Sequence, residues 1–302
     1  MRSRLLAGVL AVVVGSALAA PADAFTVFAC EPEWAALTRV LLPEARVHVA
    51  THAGQDPHHI EARPALIAQL RNADLAVCTG ASLEGGWLPV LQQRAGNARA
   101  QQVFFAADHL TLIDPRPGAV GSPFAGDVHA EGNPHVHADP RNLLRVLDAL
   151  AARLQRELPA QQAEIGQRRA AFSARLQGQI AQWEARAAPL RQRPVAAQHS
   201  SFGYLWNWLG LVQVADMEPQ PGMAPTPGHL QRLLEGLRPR PPMAVVVSSF
   251  QDARPGRWLS GQLGAQVPLL VLPATVAEDA DGEGLLRWYD GLVNGLLQVL
   301  PR

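Results

Sequence analysis

Residues 160–190, AQQAEIGQRRAAFSARLQGQIAQWEARAAPL, decide the fold because they predict one long amphipathic helix in the middle of the chain. Their apolar positions follow one another at the intervals expected for one face of a helix: Ile165, Phe172, Leu176, Ile180, Trp183, Ala187 and Leu190. A helix from about Ala160 to Ala188 would be roughly 40–45 Å long, which exceeds the needs of one small domain. A rigid helix that joins two lobes accounts for this length. A coiled-coil dimer is the alternative, although the stripe covers few heptads.

Short strands alternate with helical stretches on both sides of this helix. The predicted strands are FTVFAC, RVHVAT, DLAVC and QVFFAA before it, and PVAAQ, LVQVAD, MAVVVSS and PLLVLP after it. Such alternation is typical of a parallel sheet with helices on both faces. We therefore predict an α/β fold of two lobes, each a parallel sheet flanked by helices, joined by one long rigid bridging helix. The predicted bounds are 25–157 for the N-terminal lobe, 158–192 for the bridging helix and 193–302 for the C-terminal lobe.

Composition and the first residues indicate an exported protein. The 302 residues carry 26 Lys+Arg and 26 Asp+Glu, so charge gives no reason to expect nucleic acid as a partner. The chain contains no lysine, which excludes Schiff-base chemistry and a Walker-type phosphate loop. Residues 1–24 have the basic start, apolar run and Ala22-Asp23-Ala24 pattern of a cleaved signal peptide, which predicts the periplasm. A retained membrane anchor is the alternative.

The two cysteines, Cys30 and Cys78, each end a predicted strand. If these strands are parallel neighbours, both thiols lie at the same edge of the sheet and a disulfide is expected in an oxidising compartment. Two free thiols, or two metal ligands, are the alternatives.

Three histidines follow predicted strands and predict one metal site. His58 and His135 each come after a proline, in DPHHIE and GNPHVHADP, and His199 comes directly after the strand PVAAQ. A zinc finger needs ligands only a few residues apart, so these widely spaced histidines do not form one. Loops at the carboxyl edge of an α/β sheet are where ligands bind. The histidines can therefore meet at one ion in three dimensions.

The chain resembles the metal-binding proteins that serve zinc and manganese ABC transporters. The resemblance is carried by DPHHIEARPALIAQLRNADLAVCTGASLEGGWL, GNPHVHADP, HSSFGYLWNWLGL and the VLPATV segment, and it covers nearly all of the chain after the signal segment. It implies a periplasmic solute-binding protein that holds one divalent metal between two lobes, with His58, His135 and His199 as ligands.

Two positions depart from the family pattern. His137 stands where the family often has Trp, so it is either an extra ligand or a residue that packs and hydrogen-bonds near the site. Many relatives have an acid directly after the last strand, whereas this chain reads LPATVAED. We choose Asp279 as the fourth ligand, ahead of Glu278 and water. His129, in the loop before His135, is a candidate for collecting metal before transfer.

Three imidazoles and at most one carboxylate favour Zn²⁺ as bound cargo over Mn²⁺, which prefers oxygen ligands. By the resemblance, the partners are an ABC permease with its ATPase, and a periplasmic metallochaperone is a further candidate. We expect a monomer that is not an enzyme. The alternative function is a secreted zinc hydrolase with a three-histidine site and a metal-bound water, although the sequence has no HExxH-type arrangement.

Overall fold

The computed structural model describes residues 24–96, 99–116 and 127–300, which form eight β-strands and nine α-helices. The strands are β1 (Thr26–Ala29), β2 (Arg46–Val49), β3 (Leu75–Cys78), β4 (Val103–Phe105), β5 (Pro194–Ala197), β6 (Val212–Asp216), β7 (Ala244–Ser248) and β8 (Leu269–Leu272). The helices are α1 (Pro32–Leu41), α2 (Pro64–Asn72), α3 (Leu88–Ala95), α4 (Pro140–Glu157), α5 (Gln162–Arg186), α6 (Gly203–Leu209), α7 (Pro227–Leu237), α8 (Ala253–Leu263) and α9 (Gly282–Gln298). The predicted signal segment, apart from Ala24, lies outside the described residues.

The strands form two parallel sheets with the same internal order. The first sheet has the order β2-β1-β3-β4 and the second has the order β6-β5-β7-β8. Each of the eight strands predicted from the sequence is present, and their pairings are parallel. The predicted α/β fold of two lobes is therefore confirmed. Because all strands of a sheet point the same way, their carboxyl ends gather at one edge, from which ligand-carrying loops emerge.

The long helix α5 lies between the lobes. It has 25 residues, about 37 Å at 1.5 Å per residue. The predicted apolar stripe is buried, with Leu176 and Trp183 fully enclosed. This face contacts α1 and α4 of the first lobe and α9 of the second. Helix α9 was not predicted from the sequence, and its Asp290 accepts a hydrogen bond from the Trp183 indole at 3.1 Å.

One hydrophobic core extends through both lobes. It joins the inner faces of the two sheets to α1, α4, α5 and α9, while two smaller clusters cover the outer faces. Cys30 and Cys78 form a disulfide between the ends of β1 and β3, with 4.8 Å between their Cα atoms, as predicted. Among the described residues, no helix combines the length and the apolar character needed to cross a membrane.

Candidate metal centre

His58 is oriented by the loop that follows β2. The Oδ1 atom of Asp56 accepts a hydrogen bond from the His58 backbone N–H at 3.0 Å and lies 2.7 Å from the ring Nδ1. Pro57 stands between them, and its carbonyl accepts a hydrogen bond from the Trp87 indole at 2.9 Å. Because Nδ1 faces a carboxylate, Nδ1 carries the proton and Nε2 is left with a lone pair. A metal ion could bind at this Nε2.

His135 repeats this local structure with an amide in place of the carboxylate. The Asn133 Oδ1 atom accepts from the His135 backbone N–H at 2.9 Å and lies 2.8 Å from the ring Nδ1. The Asn133 amide also donates to the carbonyl of Ser200 at 2.9 Å, which ties this loop to the second lobe. An Asx-Pro-His triplet therefore positions a histidine twice in this chain, and the sequence shows it both times.

His199 is held differently, in the left-handed backbone region at φ 65°. Its backbone N–H donates to Asp216 Oδ1 at 3.0 Å, and its ring Nδ1 lies 2.9 Å from Glu218 Oε2. A non-glycine residue in this conformation costs free energy, and such strain is concentrated at functional positions. Asp216 ends β6 and Glu218 follows it, so the strand next to β5 supplies both supports.

The structure brings His58, His135 and His199 together as a three-histidine cluster. Their ring centroids are 5.2–5.4 Å apart, and one nitrogen from each ring lies within 4.8 Å of the others. All three residues are buried. In the described part of the chain, the Nε2 atoms of His135 and His199 have no hydrogen-bond partner. Buried polar atoms are normally satisfied, so unpaired lone pairs that face one point indicate a place for a cation.

His129 adjoins this cluster. It is buried, and its Nε2 lies 3.2 Å from the Nε2 of His58. Two imidazoles bound to one tetrahedral zinc ion, at about 2.0–2.1 Å each, have their nitrogens about 3.3 Å apart. From the sequence, His129 was predicted only as a residue that collects metal in a loop. Its position six residues before His135, in the same loop, was the sequence signal that could have placed His129 next to the three-histidine cluster.

The protonation states of these histidines differ because their surroundings differ. Burial lowers the pKa of His135 well below its ordinary value, and the neighbouring His199 and His58 lower it further. Burial also lowers the pKa of His129 to about 4, with smaller contributions from His58 and His199. Burial opposes the charged form of His199 as well, but the hydrogen bond and charge of Glu218 outweigh it and raise its pKa. His135 and His129 are therefore neutral near pH 7 and ready to bind a metal.

The structure does not bring Asp279 to the three-histidine cluster. Asp279 is exposed, and its charge acts on Arg39 of α1. The Arg39 guanidinium donates to the carbonyls of Glu278 and Ala280, at 2.8 Å each, and so attaches this loop to α1. The choice of Asp279, or of Glu278, as the fourth ligand gains no support from this geometry.

His137 packs and hydrogen-bonds beside the site. Its Nε2 donates to the carbonyl of Ala274 at 2.9 Å, and its Nδ1 lies 3.1 Å from Glu33 Oε1. Its ring stacks on Trp288 with 5.6 Å between centroids. Both ring nitrogens therefore face protein oxygens rather than the three-histidine cluster, and His137 connects the lobes next to it.

These features define a two-lobed α/β protein of the solute-binding type, with a candidate metal centre between its lobes. A sequence profile of the family described as zinc-uptake complex component A, periplasmic (ZnuA), matches residues 27–299, and the chain belongs to this family.

Individual relatives are more distant. The zinc-binding lipoprotein AdcA of Streptococcus pneumoniae is 26% identical over 84% of this chain, which spans 51% of that relative. The chain thus spans about half the length of AdcA. The manganese ABC transporter substrate-binding lipoprotein PsaA of Streptococcus pneumoniae is 23% identical, with 94% and 92% of the two chains covered. A crystal structure of ZnuA is similar in fold, with a TM-score of 0.74 at 22% identity over 91% of this chain and all of the other.

Proposed function

We propose that this protein binds one divalent transition-metal ion, most favourably zinc, between its lobes and delivers it to an ABC-type permease outside the cytoplasm. The observation that carries the proposal is the three-histidine cluster, in which buried imidazoles from both lobes direct nitrogen lone pairs at one point. Neutral imidazole nitrogens suit zinc and similar borderline transition-metal ions far better than hard ions such as magnesium or calcium. Membership in the ZnuA family supports the same cargo.

The ligands in this proposal are His58, His135 and His199, with His129 as the fourth in place of Asp279. His129 is favoured by its buried ring and its 3.2 Å approach to His58. Four imidazoles complete a tetrahedral shell. Manganese prefers oxygen ligands and a larger coordination number, so this nitrogen-rich set discriminates against it. The relatives alone support either metal, because AdcA is named for zinc and PsaA for manganese.

A metal bound here would link the lobes, because His58, His129 and His135 belong to the first and His199 to the second. The ion stabilises whichever arrangement of the lobes lets all ligands reach it. Helix α5 and the shared core limit the change to small tilts and loop movements. A permease in the cytoplasmic membrane could distinguish the loaded from the empty form by this difference. The hydrolase alternative gains no support from a family of zinc-uptake components.

Calorimetric titration tests the proposal directly. We expect the wild-type protein to bind zinc far more tightly than manganese, and to bind one tight zinc per chain. The variants His58→Ala and His135→Ala should each lose most of this affinity, while His109→Ala, at an exposed position that stacks on Phe104 and lies outside the three-histidine cluster, should keep it. Wild-type affinity in both ligand variants would contradict the assignment of the centre.

A further inference from the structure

A second group of metal-binding side chains lies beside the three-histidine cluster. One ligand atom each from Asp56, His59 and Asp127 lies within 4.8 Å of the others. The Nε2 atom of His59 is 3.6 Å from Asp127 Oδ1. His59 is largely exposed, whereas the Asp127 side chain is only 12% exposed. Two carboxylates and one imidazole are a donor set that zinc, manganese and similar divalent ions accept.

Asp56, His59 and Asp127 line a cavity of about 390 Å³ together with His58 of the three-histidine cluster. His199 also lines the cavity, and its buried Nε2 has no hydrogen-bond partner among the described residues. The cavity therefore leads from solvent-exposed oxygen and nitrogen donors to a buried nitrogen that can bind a cation.

The carboxylates are held in place by other contacts. Asp56 faces His58 through Oδ1, and in the described part of the chain its Oδ2 has no hydrogen-bond partner. The backbone N–H of Asp127 donates to the carbonyl of Pro221 in the second lobe at 3.1 Å. The Asp127 carboxylate lies against Gly222, where a Cβ would come within 2.6 Å of Oδ2. Glycine at position 222 thus leaves room for this carboxylate between the lobes.

We propose that Asp56, His59 and Asp127 form an outer divalent-cation site through which the metal passes to the three-histidine cluster. The inference rests on the proposed function, because the cluster is the destination of the ion. A partly hydrated ion first exchanges some of its water for the carboxylate oxygens. It then moves inward, where imidazoles replace the remaining water. Asp56 belongs to both stages, since it also orients His58.

The test uses the full chain, with His59→Gln/Asp127→Asn as the variant and His48→Gln/Glu44→Gln as the matched control. The control makes the same changes of charge in the same lobe, outside this cavity. With zinc in excess, calorimetry should show one tight and one weak ion in the wild type and the control, and the tight ion alone in the variant. Stopped-flow competition with a fluorescent chelator should show association with the tight site slowed about tenfold in the variant. Dissociation should slow in parallel, because a site on the path changes both rates.

Either of two results would overturn the outer site: a wild type without the weak ion, or a variant that takes up zinc as fast as the control. Faster dissociation in the variant would also overturn the outer site. It would show that His59 and Asp127 stabilise the inner ligands rather than form a path for the ion. His199→Ala separates the two proposals. It should lose the tight ion and keep the weak one, whereas retained tight binding would count against the three-histidine cluster and leave the outer site standing.

Discussion

Strands β1 and β5, one in each lobe, are followed by residues of different chemistry. Strand β1 ends at Ala29 and is followed two residues later by Glu31, whereas β5 ends at Ala197 and is followed two residues later by His199. Both strands hold the same position in sheets of the same order. Each of these side chains is buried, and each has a glutamate as its neighbour.

The neighbouring glutamate acts differently on Glu31 and on His199. Burial raises the pKa of Glu31 well above its ordinary value, and the charge of Glu84 raises it further. Burial also raises the pKa of Glu84 to about 7. This pair holds a proton, and Thr79 donates its hydroxyl to Glu31 at 2.9 Å. Glu218 instead binds the Nδ1 of His199 and leaves Nε2 for a cation. Equivalent strand ends thus carry a pair of glutamates that holds a proton in the first lobe and a candidate metal-ligating histidine in the second.

The largest expected effect is on zinc affinity when His199 is lost. His199→Ala should weaken zinc binding by more than the 10–100-fold typical of residues that support a ligand. It should also abolish most of the zinc-induced rise in Tm, because in the described residues no other ligand of the proposed set comes from the second lobe. Glu31→Gln should leave zinc affinity within about threefold of wild type. Calorimetry and thermal melts with and without zinc provide the measurements. Equal losses in both variants would break the contrast between the two strand ends.

A smaller loss is expected for the fourth ligand. His129→Ala should weaken zinc binding about 10–100-fold, since water can fill the vacated position at lower affinity. Asp279→Ala should bind zinc as the wild type does, because Asp279 is exposed near Arg39 rather than at the three-histidine cluster. Competition titrations against a chelator of known affinity measure both. The reverse order of effects would restore Asp279 as the ligand.

The affinity for zinc should depend on pH through the protonation of the His199 ring. Its pKa is raised above the ordinary value of about 6.5 because the hydrogen bond and charge of Glu218 outweigh burial. Zinc needs the neutral ring, so apparent affinity should fall about tenfold per pH unit below this pKa. His135 and His129, whose pKa values are lowered, add nothing until more acidic pH.

Glu218→Gln sharpens this prediction. Without the carboxylate the pKa of His199 falls, so near pH 6 fewer protons should be released for each zinc bound. Calorimetry in two buffers with different ionisation enthalpies counts these protons. Proton release that stays at the wild-type value in Glu218→Gln would show that another group titrates.

The fold could be predicted from the sequence because its signals are local. The strands are short apolar runs between turn residues, and the stripe from Ile165 to Leu190 has a clear helical period. Helix α9 was missed because glycines interrupt its sequence, although its buried apolar residues from Leu285 to Leu296 recur at helical intervals. Long-range packing, rather than intrinsic helix preference, stabilises it.

The candidate site could be predicted only in part. Proline before His58 and His135, and a strand before His199, mark these histidines as fixed side chains at a sheet edge. The places of His129 and Asp279 depend on how two loops close across the lobes, and no local pattern encodes that. The contacts of Arg39 with the loop around Asp279 join residues about 240 positions apart.

The smallest expected effect concerns the stability of the metal-free protein. The unfolded chain releases the Glu84 proton near pH 4.5, whereas the folded chain holds it up to about pH 7. The folded state binds more protons between these values, so the free energy of unfolding should fall as pH rises through this window. His199, with its raised pKa, acts in the same direction, because its contribution is lost as pH rises through the folded pKa.

Urea unfolding of the metal-free protein across this window measures the effect, which we expect to be on the order of 3 kcal/mol. Glu84→Gln should flatten the dependence, since an amide has no proton to release. Glu44→Gln, at an exposed position of the same lobe, should keep the wild-type slope. Metal-free stability and zinc affinity then change in opposite directions with pH, because the acid pair of the first lobe retains its proton and His199 must give its proton up. A Glu84→Gln slope that matches the control would show that other groups with raised pKa values, such as Glu31 and His199, carry the dependence.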